Sequence, residues 1–368
     1  TPQCIANDLR NNLYDLNGVG LLIEDECHRC MKNYDYTYVA EKYKEQGLHR
    51  RVLGLTASPG SEKAKIRKIC ENLGIEAVEI RTRESEDVKP YLQDLQFDLY
   101  KVDFPEEFAK IRHLLKKIFD RKAEELRNRK LLFMPATKKF LLEAQSKIMR
   151  SISSGNHHFN LLLGASACAQ AIKVQHAMEL IETQTLASFQ SYMQDLFKQA
   201  ADKKSKAVQN LVKQAEFNEA YVRAISLIAK GIEHPKLLKL KEIVEPEIKR
   251  KKKVIVFSQY RGAAVTIAKM LNSLPGANAR VFVGQAKKTN QKTGEVTGLN
   301  QREQQELIRE FSLGIVNILV STSIGEEGLD IPEVDAVVFY EPVPSEIRKI
   351  QRAGRTARLS KGKLIMLV

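Results

Sequence analysis

"LLIEDECHRC", Leu21 to Cys30, is an apolar run that stops at three successive acids, Glu24, Asp25 and Glu26, before a histidine set between two cysteines. An apolar strand ending in Asp-Glu delivers carboxylates to the carboxyl edge of a sheet, where open α/β folds bind their ligands. One carboxylate there can hold Mg²⁺ while the next orients a water for attack on phosphate. The same pattern also fits a plain strand entering a polar turn, and the Cys-x-x-Cys spacing leaves thiol redox and zinc chemistry open. A zinc site needs four ligands. No second C-x-x-C or spaced histidine pair lies near Cys27, His28 and Cys30, and Cys70 and Cys168 are isolated, so zinc is not expected. His157 and His158 are adjacent, so their side chains diverge and a turn is the better reading.

The 368 residues are 43% hydrophobic, enough for two or three domains with real cores. A formal net charge of +14 favours a polyanionic partner, nucleic acid first, with an acidic protein or a membrane surface as the other options. Five cysteines and no leader-like opening fit free thiols in a reducing compartment. The most apolar long stretch, 161–181, is interrupted by Gln170, Lys173, Gln175, His176 and Glu179, short of what a membrane span needs. Its Ala167, Ala171, Val174, Met178 and Ile181 share one helical face, which predicts a core helix and no membrane association.

Working outward from 21–30, residues 1–98 alternate strand-like runs ("GLLIED", "RVLGLTAS", "IEAVEI") with a helical stretch at 62–73, the rhythm of a parallel α/β domain. Residues 99–232 read as successive helices, including 106–133, 161–181 and 188–212. In 101–230 there are 22 Lys and Arg against 13 Asp and Glu, so most of the basic excess sits there. From 233 to 368 the α/β rhythm returns, with strands at "KVIVFSQY", "ARVFVG", "VNILVST", "AVVFYE" and "KLIMLV" and helices at 263–273, 301–313 and 345–353. The polar 284–300 segment reads as an exposed loop. "KRKKK" (249–253) is a charged lead-in to a strand or a localisation signal.

Further pieces follow in order. "TAS" (56–58) ends the second strand, where its hydroxyls can hydrogen-bond the acidic pair. "FSQY" (257–260), "TSIGEEGLD" (322–330) and "QRAGRTAR" (351–358) come later, the last placing arginines 352, 355 and 358 about a turn apart. With "TPQ" (1–3) and "DECH" (25–28), they resemble motifs Ib to VI of superfamily-2 helicases, and within that superfamily the Hef/FANCM family, the RIG-I-like RNA sensors being more distant. The stretches "GLTASPG", "FVGQA", "GLNQREQ" and "GEEGLDIPEVDAVVFYEPVPSEIRKIQR" carry the resemblance, which covers essentially the whole chain.

The resemblance implies an α/β protein of two RecA-like parallel-sheet lobes separated by an all-helical insert, with ATP and Mg²⁺ in the cleft between the lobes. It implies that Asp25 serves Mg²⁺ and Glu26 the attacking water. Arg355 and Arg358 would be arginine fingers, worth about 10³–10⁵ in rate in such enzymes. Gln351 would face the γ-phosphate, Gly328 and Asp330 the ribose side of ATP, and His28 would link the ATP state to the facing lobe. Thr1, Gln259 and Thr322 would contact the DNA backbone, and Thr56 and Ser58 would couple the two sites. Two departures stand out. Ala353 and Ala357 replace the Arg and Gly usual in the family, and no G-x-x-x-x-G-K-[ST] loop is present. The first lobe is therefore expected to be incomplete, its phosphate loop lying upstream of Thr1, and the chain by itself to be inactive as an ATPase. The implied function is an ATP-dependent helicase or translocase on branched or forked DNA in repair, in the nucleoid or, for a eukaryote, the nucleus, with a nuclease domain or partner lying outside the chain. The alternatives are a RIG-I-like RNA-binding ATPase and a non-hydrolysing nucleic-acid clamp.

Overall fold

The computed structural model describes residues 1–82, 84–91, 93–285, 288–289, 296–322, 331–342, 356 and 361–368. By its contacts the chain divides into two units, Thr1–Gln96 with 326–337 and 343–364, and Phe97–Gly325 with 338–342 and 365–368.

In the first unit, helix α1 (Pro2–Arg10) leads to strand β1 (Leu22–Asp25), a short 3-10 turn (Cys27–Arg29), α2 (Asp35–Gln46), β2 (Val52–Leu55) and α3 (Lys63–Leu73). Strands β1 and β2 run parallel, with Leu22 opposite Val52 and Asp25 opposite Leu55. Alternation sends Leu22, Glu24, Val52 and Gly54 to one face and Ile23, Leu53 and Leu55 to the other, where all three are exposed. The inward face meets Cys27, Cys30, Ala40, Ile69 and Leu73. Gly54 makes that approach possible, since a Cβ there would come within 3.1 Å of the Cys27 sulfur and 3.2 Å of Leu73. Gly74, at φ 74°, closes α3 in the left-handed conformation that favours glycine.

The second unit joins a helical bundle to a sheet. The bundle comprises α4 (Glu106–Asn128), α5 (Lys138–Ser153), α6 (Phe159–Thr183), α7 (Leu186–Ala201), α8 (Lys206–Val212) and α9 (Ala215–Ala229). Phe108, Ile111, Leu115 and Ile118 form the apolar stripe of α4, and Ala167, Ala171 and Val174 line α6 with small side chains that let its neighbours close in. Phe189, Met193 and Phe217 complete a core in which each large side chain contributes about 1.5–3 kcal/mol through burial. The core-helix expectation for 161–181 agrees with this packing. Among the described residues, no helix is long and apolar enough to cross a membrane.

After α10 (Pro235–Lys249) come β4 (Val254–Phe257), α11 (Arg261–Leu271), β5 (Ala279–Phe282), α12 (Gln301–Ser312), β8 (Ile318–Ser321), β9 (Ala336–Phe339) and β10 (Gly362–Leu367). With β3 (Leu95–Tyr100) they form a six-stranded sheet ordered β3-β10-β9-β4-β8-β5, with β4, β8 and β5 parallel. Every residue of β4, β8 and β9 is buried, as strands covered on both faces require. The helical and parallel-sheet character is that expected from the sequence.

Several local expectations need correction. "IEAVEI" (75–80) is irregular, with Val78 and Ile80 exposed, because alternation marks faces without supplying a partner strand. The helix expected over 188–212 breaks into α7 and α8 at Asp202–Ser205, a short polar run in which Lys203 adopts φ 55° and Lys204 pairs with Asp202. Helix α4 stops at Asn128, ahead of Lys130 at φ 59°. The loop expected at 284–300 contains a short antiparallel pair, β6 (Lys288–Thr289) and β7 (Val296–Thr297). The helix expected at 345–353 lies outside the described residues.

Candidate functional site

Because Asp25 pairs with Leu55, the residues that follow each strand emerge side by side at the carboxyl edge of the β1–β2 sheet. Asp25 is exposed there, and its Oδ1 accepts the Glu26 amide at 3.0 Å. Glu26 adopts φ 54° and ψ 42°, a left-handed conformation unfavourable for a residue with a Cβ, of the kind that clusters at functional positions. That turn starts the 3-10 segment and brings His28 back beneath Glu26. His28 Nδ1 lies 3.2 Å from Glu26 Oε2 and 3.0 Å from Thr56 Oγ1, and Thr56 Oγ1 in turn accepts the Ser58 amide at 3.2 Å. Glu26, His28, Thr56 and Ser58 thus form one continuous polar chain. The Thr56 hydroxyl meets the histidine and not the acidic pair, as the sequence suggested, because the turn at Glu26 places the imidazole over the end of β2. Burial lowers the His28 pKa, against the opposing pull of Glu26.

The other groups in 21–30 belong to the interior. Cys27 and Cys30 lie in the small apolar cluster, where burial pushes their thiols up to about 11 and about 12. Glu24 is 1% exposed, and burial raises its pKa to about 8 against the opposing interaction with the Cys30 side chain. Thr1 is exposed at the start of α1, its hydroxyl 3.1 Å from Cys4 Sγ. His158 caps α6, its Nδ1 accepting the Asn160 amide at 3.3 Å.

In the second unit, "FSQY" occupies the end of β4. Gln259 is exposed while its backbone amide donates to the Glu341 carboxylate at 3.1 Å. Ser258 donates to the same carboxylate at 3.2 Å, and Gln184, at the junction of α6 and α7, donates to it through Nε2. Glu341 is 5% exposed, and burial raises its pKa against these hydrogen bonds and the nearby Lys236 charge. Tyr260 donates to Glu179 at 3.2 Å, and Glu179 also pairs with Lys138 at 2.8 Å. The His176 and Lys138 side chains beside Glu179 hold its pKa at about 2. Thr322 is buried at 7% exposure, its amide bonded to the Phe282 carbonyl.

Gly328, Asp330, Gln351, Arg355 and Arg358 lie outside the described residues, as do Ala353 and Ala357. Thr356, between the two arginines, is described: it is buried, and its hydroxyl donates to the Val334 carbonyl. The sequence reading passed over Thr356, Glu341 and Gln184. The first could have been found as a small hydroxyl residue flanked by cations, and the second as an acid ending the apolar run "AVVFYE". Gln184 carries no local signal.

Comparisons with known proteins place this geometry in a family. Residues 235–360 match the helicase conserved C-terminal domain, and residues 107–233 match the domain described as "Putative ATP-dependent RNA helicase, helical bundle". A Methanocaldococcus jannaschii protein named "Putative ATP-dependent RNA helicase" is 37% identical over 100% of this chain and 45% of its own length. The ATP-dependent DNA helicase mph1 of Sclerotinia sclerotiorum is 34% identical over 100% of this chain and 31% of its own, so the chain spans less than half of these relatives. The Fanconi anemia group M protein homolog of Mus musculus is 28% identical over 100% of this chain and 20% of its own. The crystal structure of the Pyrococcus furiosus Hef helicase domain superposes with a TM-score of 0.72 at 40% identity, covering 100% of this chain and 75% of that one. On these grounds the chain belongs to the Hef/FANCM-type family of superfamily-2 helicases.

Proposed function

We propose that the chain supplies the hydrolytic acids and the nucleic-acid contacts of an ATP-dependent DNA helicase or translocase acting on branched DNA in repair. The observation that carries this reading is the Glu26–His28–Thr56–Ser58 chain, which ties the acidic box to the segment after β2. Such a link lets a change at the phosphate be felt at the next strand. Asp25 is an exposed carboxylate at the carboxyl edge of a parallel pair, an oxygen donor that fits the hard, hydrated Mg²⁺ ion. Bound Mg²⁺ and ATP supply the phosphoanhydride and the charge that screens it. Asp25 holds the ion's side of the site, Glu26 accepts a proton from an oriented water, and His28 holds Glu26 in its left-handed turn. Arg355 and Arg358 are assigned to the charge that develops on the transferred phosphoryl group.

Gln259, Thr1 and Thr322 are assigned to the nucleic-acid backbone, with Gln259 the most accessible in its unit. Gln351 is assigned to the γ-phosphate and Gly328 and Asp330 to the nucleotide's ribose side, and the three domains to 1–98, 99–232 and 233–368. The basic helical bundle supports a preference for branched substrates, and the relatives' printed names support both DNA and RNA as classes. A protein with this role works in the nucleoid or the nucleus. The chain by itself, without a phosphate-binding loop, binds nucleic acid without turning ATP over.

Fluorescence anisotropy with forked DNA, duplex DNA and duplex RNA, each over a salt series, tests the substrate. Forked DNA is expected to bind tightest, with affinity falling steeply as salt rises. Preference for duplex RNA would replace the DNA reading by the RNA-binding one.

A further inference from the structure

Outside the acidic box, a buried polar cluster with a charged centre lies where the helical bundle meets the sheet inside the second unit. Glu341 follows β9, and the neighbouring strand β4 ends at Phe257, whose carbonyl accepts the Tyr340 amide at 3.0 Å. That pairing carries the Glu341 carboxylate across to Ser258 and Gln259. From the bundle side comes Gln184, completely buried between α6 and α7, whose amide nitrogen also donates to Thr183 Oγ1 at 3.1 Å. A second anchor lies one residue on, where Tyr260 reaches Glu179 of α6. Gly262, on the first turn of α11, faces Ser188 on the first turn of α7, and a Cβ there would sit 3.6 Å from the Ser188 hydroxyl. Ser258, Gln259 and Tyr260 are thus all held, two through side chains and one through its amide, while the Gln259 side chain stays exposed.

We infer that Glu341 is a positioning residue: its carboxylate clamps the Gln259 amide and ties it to Gln184 of the helical bundle, so that the bundle sets the direction in which Gln259 faces nucleic acid. Burying a carboxylate is costly unless each oxygen is satisfied. Two side-chain donors and one main-chain amide converge on this one. A clamp made of directional hydrogen bonds fixes orientation, which an apolar contact of the same area does not. The consequence for nucleic acid rests on the assignment of Gln259 made above, whereas the clamp itself is a property of the fold.

Two measurements separate the parts. In Glu341→Ala, amide hydrogen exchange at Gln259 should accelerate roughly tenfold or more, because the amide loses a charged acceptor. Glu341→Gln, which keeps an acceptor oxygen, should restore most of the protection. If Glu341→Ala fails to fold, Ser258→Ala and Gln184→Ala remove one donor each and should loosen the 258–260 segment in the same direction. Unchanged exchange at Gln259 in the folded variants would overturn the clamp. In anisotropy with forked DNA, Gln259→Ala and Glu341→Ala should each weaken binding about fivefold, and the double variant no further, because both act through the same side chain. Additive losses would overturn the link from Glu341 to Gln259. A wild-type chain that binds no nucleic acid while its Gln259 protection still depends on Glu341 would overturn the nucleic-acid reading and leave the clamp standing.

Discussion

His234 should make the second unit acid-sensitive in a way that one substitution abolishes. It caps α10, it is 1% exposed, and both ring nitrogens are engaged: Nδ1 accepts the Lys236 amide at 3.2 Å and Nε2 lies 3.2 Å from the Ile181 carbonyl. Those partners fix the neutral tautomer with the proton on Nε2. Protonating Nδ1 turns an acceptor into a donor against an amide that also donates, in a site packed edge-on against Phe108 at 5.3 Å. Burial accordingly lowers the His234 pKa from 6.5 to about 4. A histidine whose folded pKa lies below its unfolded value gives stability that is present above pH 6.5 and lost as the pH falls towards 4. At about 1.4 kcal/mol per pH unit, the loss reaches roughly 2–3 kcal/mol by about pH 4.5. Asn at this position can still cap the helix but cannot titrate, and it gives up the bond to Ile181 and the ring contact, costing about 1–2 kcal/mol at neutral pH. Urea titrations of wild type and His234→Asn, followed by circular dichroism across this pH range, should therefore give stability curves that converge or cross as the pH falls. Parallel curves would refute the assignment.

Three further perturbations probe other links. Asn300→Ala removes a capping box in which Asn300 and Glu303 satisfy each other's amides, and should cost about 1 kcal/mol and deprotect the first turn of α12 in hydrogen exchange. Phe217→Ala opens a cavity in the fully buried bundle core and should cost about 3–5 kcal/mol, read as a lower urea midpoint. Thr56→Val keeps the shape but removes the hydroxyl beside His28; an NMR titration should find the wild-type His28 midpoint below the ordinary histidine value and displaced in the variant, and an unmoved midpoint would sever Thr56 from the chain.

What could be read from sequence was what is periodic and local. The apolar runs at 22–25 and 52–55 and the helix at 63–73 carry their own signals, as does α6, whose small-residue face repeats over several turns. Strand β3 escaped notice because it lies at the end of the sheet order with Phe97 and Leu99 half exposed, so its apolar content resembles a surface segment. Helix α5 was missed because its buried stripe is only Leu141, Ala144 and Ile148. The site divides in the same way. "DECH" and "TAS" are contiguous words, but that His28 and not the acids meets Thr56 depends on one left-handed residue, which sequence does not announce. Gln184 and Glu341 are 157 positions apart, and only the tertiary packing that sets the α6–α7 junction against the end of β9 brings them together.

The acids that end apolar runs show how much burial decides once the strand signal has been read. Asp25, Glu24 and Glu341 all stand at or just beyond a strand end, and the local pattern does not distinguish them. Asp25 points outward on the exposed face, where a carboxylate keeps its hydration and can exchange water for a cation. Glu24, one residue earlier and therefore on the opposite face, is buried, and the Cys30 side chain offsets little of the lost solvation, so its pKa rises to about 8. Glu341 is buried as well, but three donors converge on it and offset part of the same penalty. The first acid stays open to solvent, and the third holds the backbone that follows β4. The period of two along a strand separates Asp25 from Glu24, whereas a neighbour distant in sequence separates Glu341 from both.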